Sequence, residues 1–540
     1  MKLLRFLPIL AFLTLPALAD DQHQHALSEQ EVGAVRFDNS CSPAVAKDFN
    51  RSVALLHSFQ YEASRQAFEA VAKGDPQCAM AEWGVAMTYY HGLWENSDLA
   101  SGRVAWQKAN QLAQSNRNTT PREKAYIDAL GEIYREDDKD AAAHARAFEQ
   151  KFGALQASYP DDSEAAIFHA LTLDITAPKT DKTFANQRKC GEILEPIFQK
   201  QPNHPGVAHY IIHCYDNPVL AQQGLGAARL YAKIAPISAH AHHMPSHLFT
   251  RVGLWNESIE SNKRSAEIAA AAESTSKNGE ARDQHLHAMD YLEYAYLQNG
   301  QVDKAQAVVD EMRSLPPASG LTGTGGYALG AIPSRLPLEL GNWELASQIE
   351  PLKDGVPWAR ALTWMAIGVG NARASHPARA AEAERMLASL RDETTKMNNT
   401  YWANQIEVQR QEVAAWIAHA AGKKEDALKL IRSAVELEES MDKHAVTPGA
   451  LLPAREMLAQ MLAANQQAKE ALVEYEAVLK VAPNRFNALY GAAVAAEATG
   501  QSQTAKNYYQ KVKDVAPGSQ RAEQKTAAEK LASLSASNTP

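Results

Sequence analysis

The sequence predicts an all-α fold, a right-handed solenoid of helix–turn–helix repeats, and three observations predict it. From residue 45 onward apolar residues recur at three- and four-residue steps, in segments rich in Ala, Leu, Glu, Gln and Lys with few β-branched runs. Landmarks return after 34 residues: Ala471, Tyr475 and Pro483 come back as Ala505, Tyr509 and Pro517, and Pro202 as Pro236. A turn glycine is followed five residues on by a small residue at Gly300/Ala305, Gly341/Ala346, Gly422/Ala427 and Gly500/Ala505, with Ser258 after Gly253 as the serine form. The glycine permits the turn and the small residue permits a close helix crossing. At roughly 34 residues per unit, the chain holds about a dozen helix pairs.

Taken in order, residues 1–19 read as a secretory signal peptide. Lys2 and Arg5 precede an apolar run that ends in Ala17-Leu18-Ala19. No later stretch approaches the roughly 18 unbroken apolar residues of a spanning helix, so no transmembrane segment is expected in the mature chain. The expected address is secreted, in a bacterial periplasm. Residues 20–40, with His23 and His25, read as a flexible polar leader. Residues 41–315 form an N-terminal solenoid, 316–333 a Gly/Pro-rich break or lid, 334–517 the C-terminal repeats, and 518–540 a capping helix and tail. The glycines of 316–333 are followed by no G-K-[ST], which excludes a phosphate-binding loop. Residues 440–456 interrupt the rhythm, because Ala427 and Ala471 are 44 apart rather than 34. The insertion carries His444.

The net charge of −9 becomes −11 once Lys2 and Arg5 are removed with the signal. With no basic stripe, a nucleic-acid partner is not expected. Cys41, Cys78, Cys190 and Cys214 are an even set in an exported chain, compatible with two disulfides. Proximity pairs Cys41 with Cys78 and Cys190 with Cys214. The absence of C-x-x-C spacing argues against a redox motif or a thiolate zinc site.

Function concentrates between residues 204 and 247, which hold seven of the 18 histidines. His209 and His213 are four apart, as are His243 and His247, and the second pair lies 34 residues after the first. Residues i and i+4 share a helix face, so the two pairs project from the same place in consecutive repeats. With Gly253 and Gly300 as a ruler, His240 aligns with His287, His243 with Asp290, and His247 with Tyr294. The candidate ligand set is therefore His209, His213, His243 and His247, followed by His240, His287 and Asp290, lining a concave groove. Imidazole and carboxylate without thiolate suit Zn, Cu or Ni. Pro245 removes a backbone donor between His243 and His247 and predicts a kink there. His285 is a further ligand or supporting candidate.

Two plainer readings stand beside the metal. Buried histidines are commonly satisfied core residues, and duplication copies a structural pair as faithfully as a ligand pair. Groove histidines also hydrogen-bond a peptide. H-E-x-x-H and G-x-S-x-G are absent, and Glu82, Asp216, Asp290, Glu293, Tyr210 and Tyr291 have no fixed placement. Catalytic residues cannot be assigned, and a metal-dependent hydrolase ranks third, behind a metal- or small-ligand-binding protein and a protein- or peptide-binding scaffold.

The chain resembles bacterial tetratricopeptide-repeat proteins, and more narrowly an exported, histidine-rich subfamily. The segments that carry this are LLHSFQYEASRQAF (55–68), DPQCAMAEWGVAM (75–87), HPGVAHYIIHCYDNP (204–218), HAHHMPSHLFTRVGLWNESI (240–259), HAMDYLEYAYLQNG (287–300) and HAVTPGALLPARE (444–456). The resemblance implies an α-solenoid with a concave binding face, used for protein or peptide binding. It implies no catalytic residue.

Overall fold

The computed structural model describes residues 27–94, 97–136, 140–274, 279–317, 321, 323–519 and 521–536. The expected signal peptide of residues 1–19 and the histidines His23 and His25 of the expected leader lie outside these.

Helix follows helix, with no strand among the described residues. Consecutive helices pack as hairpins, and alternate helices touch across them. The two members of a hairpin differ in a way the sequence dictates. Tyr61–Gly74 buries only Tyr61, Ser64, Phe68 and Val71, one stripe at helical spacing, and its other side meets water. Its partner Ala79–Met87 is apolar apart from Glu82 and buries every residue. The contrast recurs between Ala468–Val481, with a stripe of Ala471, Leu472, Tyr475 and Val478, and Phe486–Ala498. Small residues bring the pair together: a Cβ on Gly84 would lie 2.3 Å from the Phe68 ring. The fold is thus an α-solenoid of helical hairpins at the spacing of the 34-residue repeat.

Eight helices frame the histidines. They are α1 (Ala46–His57), α2 (Ser163–Ile175), α3 (Pro205–Tyr215), α4 (Ala239–His243), α5 (Pro245–Arg251), α6 (Trp255–Ala272), α7 (Glu280–Gln298) and α8 (Gly323–Glu339). Helix α3 packs on α1, α2 and α5, while α4 meets α6 and α7. Disulfides join Cys41 to Cys78 and Cys190 to Cys214, and the second ties α3 to the helix before it. No described cysteine is free.

The superhelix brings the C-terminal repeats back onto these helices. Trp255 Nε1 donates to Asn484 O at 2.9 Å, and Asn299 Nδ2 donates to Val515 O at 2.9 Å. Gly253, in the left-handed region at φ 70°, admits the Pro483 carbonyl, which would lie 2.2 Å from a Cβ there. Arg485, fully buried, joins Glu339 and Glu456 at 2.7 Å each and donates to Tyr294 Oη at 3.2 Å.

Two boundary expectations change. Residues 27–40 are not a flexible leader: Val32, Val35 and Phe37 are buried, and Ala34 N donates to Asn203 O at 3.0 Å. The apolar spacing of these three residues anchors the segment despite its polar surroundings. Most of the 316–333 break is the first half of α8, not a lid. Two of its glycines allow close packing rather than a loop: a Cβ on Gly330 would lie 2.3 Å from Ala359 O, and one on Gly325 2.6 Å from Asp283 Oδ1.

Candidate metal centre

Six of the seven proposed ligands form two triads. In the first, His213 Nε2 lies 3.1 Å and His240 Nε2 2.9 Å from His209 Nε2. In the second, His243 Nε2 lies 2.9 Å from His247 Nε2, and the His287 ring centroid is 4.3 Å from that of His243. Within each triad all three ligand atoms fall within 4.8 Å of one another. Three nitrogens bound at about 2.0–2.1 Å to one tetrahedral ion sit about 3.3 Å apart, so little movement separates these rings from ligation. The triads face each other. His213 and His247 have ring centroids 6.5 Å apart and His240 and His243 6.4 Å apart, about the same separation as the outer rings within one triad, 6.4 Å for His213 and His240.

Local sequence explains the assembly. His209 and His213 project from α3 one turn apart, and His240 enters from the start of α4 in the next repeat. His243 and His247 straddle Met244–Pro245, where the helix is interrupted between α4 and α5. The missing amide of Pro245 is the cause of that interruption, and the two rings still meet. His287 arrives from α7. The two residues that the glycine ruler aligns, His240 and His287, are the third ring of their respective triads.

The supporting bonds fix where the protons sit. His209 Nδ1 donates to His57 O at 2.6 Å. His247 Nδ1 donates to Asp216 Oδ2 at 2.9 Å, and Asp216 is itself held by Arg251 at 2.8 Å and Lys443 at 3.1 Å. His243 Nδ1 donates to Asn262 Oδ1 at 2.7 Å, because the Asn262 amide nitrogen is committed to Ser258 O at 2.8 Å. A carbonyl or carboxylate only accepts, so each of these three rings carries its proton on Nδ1 and a lone pair on Nε2. His243 and His247 therefore present lone pair to lone pair at 2.9 Å. His287 Nδ1 is buried without a hydrogen-bond partner.

Burial is the main reason all six rings resist protonation. His209 is held down to about 3, and His213, His240, His243 and His287 lie well below the ordinary imidazole value. His247 is lowered too, although the bond to Asp216 works against burial. Aromatic rings wall the first triad. Phe59 lies 4.4 Å from His209 and stacks on His240 at 5.5 Å, and Trp94 meets His240 edge-on at 5.4 Å. Phe59 closes the end of α1 in the left-handed region, at φ 52°.

Asp290, the seventh expected ligand, is not part of either triad. It is fully buried and bonds Arg335 at 2.9 Å, because the guanidinium from α8 is the nearest charge able to neutralise it there. Aligning it with His243 on the glycine ruler does not make it a ligand. His285 pairs with Glu273 at 2.7 Å rather than with a triad. Glu82 pairs with Lys108 at 2.5 Å, and Glu293 faces Arg335 at 3.6 Å. Tyr291 stacks on His247 at 4.8 Å and donates to the carbonyls of Ala445 and Thr447 in the 440–456 insertion. Sequence reasoning missed Asn262 and Phe59, and left the role of Asp216 open. Their signal exists only in three dimensions.

A third histidine cluster is of another kind. His57 Nε2 and His204 Nε2 donate to the two oxygens of Glu164 at 2.9 and 2.8 Å. His57 Nδ1 accepts from Tyr210 Oη at 2.9 Å, and His204 Nδ1 accepts from Val207 N at 3.3 Å. Gly206 makes room for it, since a Cβ there would lie 2.6 Å from the His57 ring.

No family model matches this chain. No curated protein matches it either. Among solved structures it is similar to a human IFIT1 dimer with PPP-AAAA, at TM-score 0.37 and 11% identity over 86% of this chain and 89% of that one. It is likewise similar to an IFIT1 monomeric mutant with Gppp-AAAA, at TM-score 0.35 and 12% identity over 89% of this chain and 92% of that one.

Proposed function

We propose that this is an exported repeat protein that binds transition-metal ions in two adjacent tri-histidine sites. One observation carries the reading: the 2.9 Å approach of His243 Nε2 and His247 Nε2, both of which present lone pairs because their other nitrogens are committed to Asn262 and Asp216. Such a contact repels unless a cation lies between the rings. Burial opposes a proton there, and a third ring converges on the same point, which favours a metal. Outward bonds from ligand imidazoles to a carboxylate, an amide and a backbone carbonyl are the support that metal-bound histidines use. Imidazole-only ligation suits Zn, Cu or Ni. Export rests on the reading of residues 1–19 and is supported by the two disulfides, which persist in oxidising compartments. The burial of the rings disfavours a plain peptide scaffold, which needs them at the groove surface.

The test is elemental analysis of mature protein prepared without an affinity tag, beside His209→Ala/His243→Ala. The expected result is one to two Zn, Cu or Ni ions per chain, absent from the double variant. Metal-free protein that takes up none of these ions on reconstitution would overturn the proposal.

A further inference from the structure

Away from the triads, beyond the Asp216 network that holds His247, lies a cavity of about 510 Å³. That is the size of a small-molecule site. Its walls are largely apolar and aromatic, including Tyr327, Trp358, Met365, Trp402, Leu451 and Val478. Trp358 and Trp402 stack in parallel, with centroids 5.5 Å apart and planes 5° apart. One helix, Thr400–Ala420, supplies a stripe to it: Trp402, Gln405, Gln409 and Glu412 follow one another at helical spacing and all line the cavity.

The polar groups in this wall are unbalanced in one direction. Glu412 is 1% exposed, and its Oε1 has no hydrogen-bond partner. Gln409 Oε1 is likewise buried and unpartnered. Glu438 faces the same space and accepts from Ala454 N at 3.0 Å through Oε2. Three cations of the wall are already matched: buried Arg251 to Asp216 and Asp442, and half-buried Lys443 to Asp216 and Arg455 to Glu439 and Glu474. Lys182 is exposed to water. The end of the cavity around Glu412, Gln409 and Glu438 is thus rich in unmatched acceptors, although cations line it elsewhere. An unmatched buried acceptor is costly, and a ligand that completes the wall must bring N–H groups.

We propose that this cavity binds a small organic amine, a basic nitrogen carried on an aromatic or aliphatic body, with the ammonium at Glu412, Glu438 and Gln409 and the body against Trp358 and Trp402. An ammonium near aromatic faces gains further attraction from the ring quadrupoles. Burial and then the charge of Glu438 raise Glu412 well above the carboxylate range, and burial lifts Glu438 to about 7. The empty pair therefore holds a proton near neutral pH, and an arriving cation replaces it as counter-charge.

Calorimetric titration of the full mature protein with tryptamine, phenethylamine and octylamine tests this, with 3-ethylindole and indole-3-acetate as the uncharged and anionic controls. At least one amine is expected to bind one-to-one and at least 10-fold more tightly than both controls. Glu412→Gln and Glu438→Gln are each expected to weaken that amine by at least 10-fold while circular dichroism and metal content stay unchanged. The second variant alters a partly exposed side chain, which guards against misfolding of the first. Binding of indole-3-acetate as tight as the amine, no binding of any of the three amines at millimolar concentration, or unchanged affinity in both variants would overturn the assignment.

Discussion

The His57–Glu164–His204 cluster and the two triads are all built around mostly buried histidines, and the first triad touches the cluster. His57 hands its carbonyl to His209 of the first triad. The difference lies in where the protons can go. Around Glu164 every ring nitrogen meets a complementary partner: two N–H groups face a carboxylate, and two lone pairs face a hydroxyl and an amide. Neutral histidines complete that cluster. In the second triad the outward bonds force lone pairs inward, so neutral histidines leave it incomplete. Burial and clustering alone do not separate a structural histidine from a ligand. The partner of the outer nitrogen does.

Removing Glu164 gives the largest effect this contrast predicts. Glu164→Ala strands two buried N–H donors and should cost about 2–6 kcal/mol of unfolding free energy, at about 1–3 kcal/mol for each unsatisfied donor. Urea denaturation of the metal-free protein checks it, and a loss below about 1 kcal/mol would put the cluster in the wrong class. The same residue sets an acid signature. Contacts with His204 and His57 outweigh burial and hold Glu164 at about 2, against an ordinary value of 4.5. A depressed carboxyl contributes stability that is present above 4.5 and lost as pH falls through about 2. The shift corresponds to roughly 3 kcal/mol. Between those limits the stability of the wild type should fall more steeply with acid than that of Glu164→Gln.

Asp216→Asn probes the other side of the comparison with a smaller effect. It removes the carboxylate that orients His247 but keeps the size of the side chain. Loss of such a partner weakens metal affinity by about 10- to 100-fold. Competition titration with a chromophoric chelator should show this loss at one site only, because Asp216 bonds His247 of the second triad while His209 of the first is held by His57 O. Equal loss at both sites would mean that the triads act as one centre.

The sequence made much of this legible, for reasons that differ by feature. The helical repeat is written in local spacing, so Gly300/Ala305 and its equivalents locate hairpins without tertiary information. Both i, i+4 pairs and the matched His240 and His287 follow from the same periodicity. Asp290 misled because periodicity assigns a face but not a partner, and Arg335 reaches it from α8, 45 residues on. Residues 316–333 misled because glycine marks both turns and close crossings, and only the neighbour at Gly330 decides between them. The grouping of six rings as two threes depends on the stacking of repeats, which no single repeat encodes.

The gentlest perturbation separates the two classes most sharply. His240 has its Nε2 aimed at His209 and its ring stacked on Phe59, with Trp94 edge-on to it. His240→Leu keeps a similar volume and should change the stability of the metal-free protein by less than about 1.5 kcal/mol, as a tolerated core swap does. The same variant loses one of three ligands and should bind one ion fewer per chain. Its melting temperature should therefore stop rising with added metal at the first triad, while the second still responds, since stabilisation by a ligand follows its affinity. A variant that unfolds without metal would place His240 with the Glu164 cluster, as a structural residue. A variant that is stable and metal-depleted places it with the ligands, and shows that a buried histidine can be nearly dispensable to the fold that positions it.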